Sequence, residues 1–291
     1  MKKVIILFLC IIFLCGCTET THRTDKLNIV TTNFVCYDFV RAVAGDTANV
    51  SMLIPPGSDI HSFEPSARDI ANINECDLFV YIGGSSDNWA EKTLSTVSDK
   101  KTLELINSVT LIKNGQTYDE HIWTSPENAR RMISSLVQTL CEIVPENTEI
   151  FCKNAQDYIG KINTAELNTK SVIDNAKLKK IVVADRFPLI YFTEYYGLEY
   201  VAAFGGCEHD TDASLHTVAH LIDTVKKDNI TAVYRIGGSG LSVADAVSKG
   251  TGAKILELHS FQNISDSEFQ NGITYIHIMN KNTEALRKGL N

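Results

Sequence analysis

A chain of 291 residues with 44% hydrophobic and 21% charged residues has the composition of a folded globular protein, which excludes a disordered or collagen-like chain. Thirty-five acidic residues against 27 basic ones give a formal charge of −8, which disfavours a nucleic-acid partner and suits a protein that collects cations. Eight cysteines without a C-x-x-C pair argue against a thiolate zinc cluster or a thioredoxin-like motif.

Lys2 and Lys3 precede an apolar run over residues 4–14, and Cys15, Gly16 and Cys17 follow, so the start reads as a signal peptide over residues 1–17. The run is shorter than the ~20 residues that a membrane-spanning helix takes. Leu14-Cys15-Gly16-Cys17 resembles a bacterial lipobox, which implies that Cys17 becomes the lipidated N-terminus. Residues 18–26 are polar, lack apolar periodicity and are expected to form a flexible tether. The cysteines beyond it are Cys36, Cys76, Cys141, Cys152 and Cys207, an odd set that cannot all pair within one chain. Buried free thiols are expected for most of them. Cys36 and Cys207 each follow an apolar run, which makes them candidates for one shared cleft.

An N-terminal α/β lobe is expected over residues 27–144. Residues 27–32 read as a buried strand, 37–44 as a helix stopped at Gly45, and 50–54 as a second strand. Pro55-Pro56-Gly57 then opens a loop that carries His61 and leads into helical spacing from Ala67. Two prolines and a glycine leave that backbone few options, so its imidazole is held in place, as a metal ligand must be. Residues 78–82 form a third strand ending at Gly83-Gly84, with a short helix near Trp89. His121 lies in a loop just before a helix that starts at Ser125 as N-cap and Pro126 as N1 and runs to about Val144.

From Pro145 to residue 177 a single helix is expected. Phe151, Ala155, Tyr158, Ile162, Ala165, Thr169, Val172 and Ala176 recur by fours and threes on one stripe. Such a helix is long enough to run along two lobes and to join them. A second α/β lobe follows over residues 178–291, with strands at 180–185, 200–204, 230–234 and 254–258 and helices near 189–196, 214–227 and 243–249. Residues 274–279 alternate as a further strand that includes His277, and a last helix lies near 283–290. Alternation of strands and helices predicts mostly parallel sheets in two Rossmann-like lobes. Residues 71–84 and 218–238 share a helix, an apolar strand and Ile-Gly-Gly, a hint of two related halves.

Several spaced motifs carry a resemblance: Pro56-Gly57 with His61-Ser62-Phe63-Glu64-Pro65-Ser66, then Tyr81-Ile82-Gly83-Gly84, Trp89, His121-Ile122-Trp123, Tyr191-Phe192 and Tyr196-Gly197-Leu198. In this order they resemble the cluster A-I family, the substrate-binding lipoproteins of zinc and manganese ABC transporters. The resemblance implies a monomeric receptor, lipid-anchored at the extracytoplasmic face of a bacterial cell membrane, which passes a metal ion to an ABC permease. It implies His61 and His121 as the first two ligands. Asp185 stands at the third position, in a segment one residue longer than the family pattern, and His259 stands where the family carries a carboxylate. All four fall in loops at strand or helix ends, two from each lobe, where open parallel sheets bind their ligands. Three imidazoles and one carboxylate suit tetrahedral Zn2+ better than Mn2+, which favours oxygen, and Glu120 and Glu208 are possible additional oxygen donors. A zinc hydrolase is the competing class, but its usual H-E-x-x-H motif is absent; a receptor for a metal chelate is a third reading. His216 and His220, at i and i+4 on one helix, read as a surface pair.

Overall fold

The computed structural model describes residues 26–97, 100–115, 117–206, 213–240, 242–262 and 264–291. The expected signal peptide, the Cys17 lipidation site, nearly all of the tether, and Cys207 and Glu208 lie outside them. In the N-terminal lobe β1 (Leu27–Thr31), α1 (Phe34–Ala44), β2 (Ala48–Met52), α2 (Ala67–Glu75), β3 (Leu78–Tyr81), α3 (Asn88–Leu94) and β4 (Thr102–Glu104) alternate. They form a parallel sheet in the order β2-β1-β3-β4, with Ile29 opposite Val50 and Val80 opposite Leu103. A two-stranded hairpin of β5 (Lys113–Asn114) and β6 (Thr117–Tyr118) precedes α4 (Pro126–Ile143). Neither β4 nor the hairpin is legible in the sequence pattern, because segments of two or three residues are too short to show a period.

α5 (Thr148–Asp174) is the expected long helix, 27 residues or about 40 Å. Every residue of its expected stripe is buried, but the helix packs on α1 and α4, so its own chain covers it. Phe151, Tyr158 and Ile162 belong to the N-terminal core, and Val172, Ile173 and Ala176 to the C-terminal one. Beyond it come β7 (Lys180–Arg186), α6 (Ile190–Tyr196), β8 (Glu199–Phe204), α7 (Leu215–Lys227), β9 (Ala232–Ile236), α8 (Ser242–Thr251), β10 (Lys254–Leu258), α9 (Asp266–Gln270) and α10 (Tyr275–Gly289). Their parallel sheet has the order β10-β9-β7-β8, with a register shift between Val183 and Arg186. The fold is therefore α/β with two parallel-sheet lobes and a long helix, as expected.

The strand expected over residues 274–279 is a helix. Thr274 caps α10 in a reciprocal box, accepting from the His277 backbone N–H while the His277 ring accepts from the Thr274 N–H, and this local signal overrides a short apolar alternation. The correction has a structural consequence: α10 is a second bridge between lobes. Tyr275, Ile278 and Met279 sit in the N-terminal core, Leu286 and Leu290 in the C-terminal one. The hydroxyls of Thr169 on α5 and Thr283 on α10 meet at 2.7 Å. The buried Asp38 on α1 ties both bridges to the N-terminal lobe, accepting from the Tyr275 N–H (2.8 Å), the Tyr158 hydroxyl and Arg41 (2.8 Å).

Ser125 occupies the expected cap position of α4, without a side-chain hydrogen bond to the helix. Cys36 does not face a cleft; it lies in α1, fully buried, where desolvation drives its thiol far up. Cys36, Cys76, Cys141 and Cys152 are all free thiols. No helix among the described residues is long and apolar enough to cross a membrane.

Candidate metal centre

Loops at the carboxyl ends of β2, β3, β7, β8, β9 and β10 converge between the lobes, the place where parallel sheets expose backbone and side chains to a ligand. After β2, the loop tightens into a single 3-10 turn at Ile60–Ser62, capped by Asp59, whose carboxylate accepts from the His61 N–H (3.0 Å). This fixes His61 relative to the strand. His121 is wholly buried between the hairpin and α4. Its Nδ1 lies 2.9 Å from Asp119 Oδ1, which orients the ring and leaves Nε2 as the donor; Nε2 is buried and has no protein partner. Burial pushes the Asp119 carboxyl up, but hydrogen bonds and charge from His121 outweigh it and hold the group below the usual carboxylate range. Tyr191 of the other lobe donates to the Asp119 carbonyl (2.7 Å), pinning the loop from across the cleft.

Glu120 completes a cluster. One donor atom each from His61, Glu120 and His121 lie within 4.8 Å of one another, and the two imidazole centroids are 5.8 Å apart. The carboxylate is positioned by the turn after β3: Ser85 Oγ (3.0 Å) and the Ser86 N–H (2.8 Å) donate to Oε2, and Ser86 Oγ donates to Oε1. Ser86 Oγ also meets His61 Nδ1 at 2.7 Å. Gly84 has φ of 90°, and a Cβ there would stand 2.7 Å from Glu120 Oε2, so the second glycine of Ile82-Gly83-Gly84 is what admits the carboxylate. Burial holds the His61 imidazole below its usual pKa, with His121 and Arg186 adding to the effect against Glu120 and Asp59. A neutral imidazole keeps its lone pair for a metal. Two nitrogens and a carboxylate, one of them backed by a second carboxylate, form a donor set that fits Zn2+.

The expected set of His61, His121, Asp185 and His259 is thus assembled only in part. Asp185 shares with His61 a cavity of about 60 Å³, also lined by Asp59, Arg186, Gly206, Gly238, Ser239 and Gln262. Its carboxylate is already engaged: Oδ2 accepts from the Ile236 N–H (2.9 Å) and from Ser239 Oγ, and Oδ1 from the Arg186 N–H (2.7 Å). The same device operates in the other lobe, where Asp87 accepts from the Ile82 (2.9 Å) and Gly83 (3.1 Å) N–H groups and burial raises its carboxyl to about 7. Both aspartates hold an Ile-Gly-Gly turn in shape. Arg186, one residue on, projects its guanidinium to 3.9 Å from Asp59 across the cleft.

His259 does not join the cluster. It is buried, its Nδ1 accepts from the Phe261 N–H (2.8 Å), and Asn282 on α10 clasps its backbone at both the N–H (2.7 Å) and the carbonyl (2.9 Å). Burial lowers its pKa to about 4. Glu120 was legible as a neighbour of His121 in sequence, but only the folded turn after β3 gives it a place. His216 and His220 are exposed on α7.

A family model described as zinc-uptake complex component A, periplasmic (ZnuA) matches residues 29–289. The zinc-binding lipoprotein AdcA of Streptococcus pneumoniae is 32% identical over 99% of this chain, which spans about 61% of that relative's length. The high-affinity zinc uptake system protein ZnuA of Bacillus subtilis is 28% identical, with 95% of this chain and 92% of the relative covered. Among solved structures, the Zn(II)-bound ZnuA-like domain of S. pneumoniae AdcA superposes with a TM-score of 0.80 at 34% identity, covering 91% of this chain and 99% of that domain. The lipoprotein YcdH of B. subtilis gives a TM-score of 0.82 at 28% identity, over 91% of this chain and 99% of that one. With the family model spanning nearly all of the described residues, and with two parallel-sheet lobes meeting at a histidine-carboxylate cluster, the chain belongs to the ZnuA family of zinc-uptake components.

Proposed function

We propose that this chain is the extracytoplasmic receptor of an ABC uptake system, which captures Zn2+ between its lobes and delivers it to a membrane permease. The observation that carries this reading is the convergence of His61, Glu120 and His121 donor atoms within 4.8 Å, with His121 Nε2 buried and unpartnered. A buried donor without a partner is costly, and a cation at that point relieves the cost. The named relatives bind or take up zinc, and the donor set has the same preference. Mn2+ is the alternative cargo, because Glu120 adds oxygen. As a carrier the protein turns no substrate over.

We propose further that Cys17 is acylated and holds the receptor, as a monomer, at the outer face of the cell membrane. Cys17→Ser should release the protein into the medium or periplasm, and recovery of the variant wholly with membranes would overturn the anchor. The cargo is tested by elemental analysis of protein purified without added metal, followed by zinc and manganese titration against a chromophoric chelator. Stoichiometric zinc in the wild type and none in His121→Ala is the expected result; a metal-free wild type that takes up no zinc rejects the reading.

A further inference from the structure

We propose that Gln262 supplies the C-terminal lobe's donor to the bound metal, through its side-chain amide oxygen; the inference rests on the metal site at His61, Glu120 and His121. Neither expected donor of that lobe belongs to the cluster: the Asp185 carboxylate is held by the Arg186 and Ile236 N–H groups and Ser239 Oγ, and the His259 Nδ1 accepts from the Phe261 N–H. Gln262 lines the same cavity as His61. Its Nε2 is buried and finds no protein acceptor, and the His121 Nε2 is likewise buried without a protein partner. Amide nitrogen and oxygen are distinguished by their hydrogen bonds, and an amide end without an acceptor has nothing to hold nitrogen there. Rotated by half a turn, the amide presents Oε1 at that buried position, an arrangement that a cation stabilises and an empty apolar contact does not.

The local backbone is built to put this side chain there. The Phe261 N–H donates to the His259 ring, and Phe261 takes a left-handed φ of 68°, rare for an aromatic residue. The Ser260 carbonyl accepts from the Trp123 indole (2.8 Å), and the Trp123 ring lies 5.4 Å from that of His121. One short loop is therefore docked beside His121 and opens onto the cavity of His61. His259, standing where a ligand was expected, acts by shaping the loop that carries the donor. The donor set becomes two nitrogens and two oxygens, and binding it draws the lobes onto one ion.

The test compares zinc affinity, by chelator competition, and the d–d absorption of the Co2+-loaded protein for wild type, Gln262→Ala, Gln262→Glu and His121→Ala. Gln262→Ala should weaken zinc about tenfold or more and change the Co2+ spectrum, while Gln262→Glu, with a charged oxygen in place, should bind at least as tightly as wild type. Wild-type affinity and spectrum in Gln262→Ala, or weaker zinc with an unaltered Co2+ spectrum, would overturn the assignment. Loss of zinc in His121→Ala beside an unaffected Gln262→Ala sinks this inference alone. Retention of zinc by His121→Ala sinks the site on which it rests.

Discussion

The two faces of the cleft are built alike and equipped differently. Each lobe brings a parallel sheet, an Ile-Gly-Gly turn at a strand end and an aspartate that accepts the backbone N–H of that isoleucine, Asp87 for Ile82 and Asp185 for Ile236. On the N-terminal side the turn also grips Glu120, and two imidazoles stand beside it, so that face offers lone pairs. The C-terminal face presents the Arg186 cation, an Asp185 held by three hydrogen bonds and the Gln262 amide. Both carboxylates accept three hydrogen bonds, so the difference lies in what stands beside them: two imidazoles next to Glu120, none grouped with Asp185 among the described residues.

The sharpest way to break the comparison is to remove a donor from the N-terminal face. His61→Ala and His121→Ala should each lower zinc affinity by more than the roughly 10–100-fold that loss of an outer partner costs, with the fold retained. Competition with a chromophoric chelator reads the affinity and circular dichroism the fold. Equal losses from Asp185→Ala would place the C-terminal carboxylate among the ligands after all.

Acid stability probes His259 as a structural residue. Its folded pKa of about 4 lies below the ordinary 6.5, so the unfolded chain binds the proton more readily. The contribution of this one group should be full above pH 6.5 and be lost as pH drops from about 6.5 to about 4, by about 3 kcal/mol, while Asp87, raised to about 7, acts in the opposite direction over the same range. Urea titrations across that range read it as a difference: on acidification from about pH 6.5 to about 4, His259→Gln should lose less stability than the wild type or gain more.

Asp119 supplies a smaller effect on the binding face. Asp119→Asn keeps the size of the side chain but removes the charge that orients His121, and should weaken zinc roughly 10–100-fold without abolishing it. Isothermal titration at fixed pH measures the change, and a loss as complete as that of His121→Ala would make Asp119 a direct ligand. Asp185→Ala should cost stability instead, about 1–3 kcal/mol for the Ile236 N–H left without an acceptor, with zinc affinity near that of wild type.

The fold was largely legible from local pattern. Alternating strands and helices, the stop at Gly45 and the buried stripe that runs along α5 are set by periodicity and backbone preference, which a sequence shows directly. His61 and His121, singled out by their loops and by the family resemblance, are the two of the four expected ligands that the fold brings together. The second bridge was not legible, since Tyr275 to Met279 alternate like a strand and only the Thr274 cap, together with two cores waiting at either end, made the segment helical.

By itself the sequence determined two parallel-sheet lobes, a joining helix and a pair of histidines from the first lobe. Tertiary structure alone decided the rest of the site. Gly84 lets the β3 turn close around Glu120 and set its carboxylate beside His61 and His121, while Asp185 and His259 are held by backbone N–H groups far away in sequence or around a left-handed turn. Hydrogen-bond partners are neighbours in space, and so the make-up of the cluster is settled only by the folded chain.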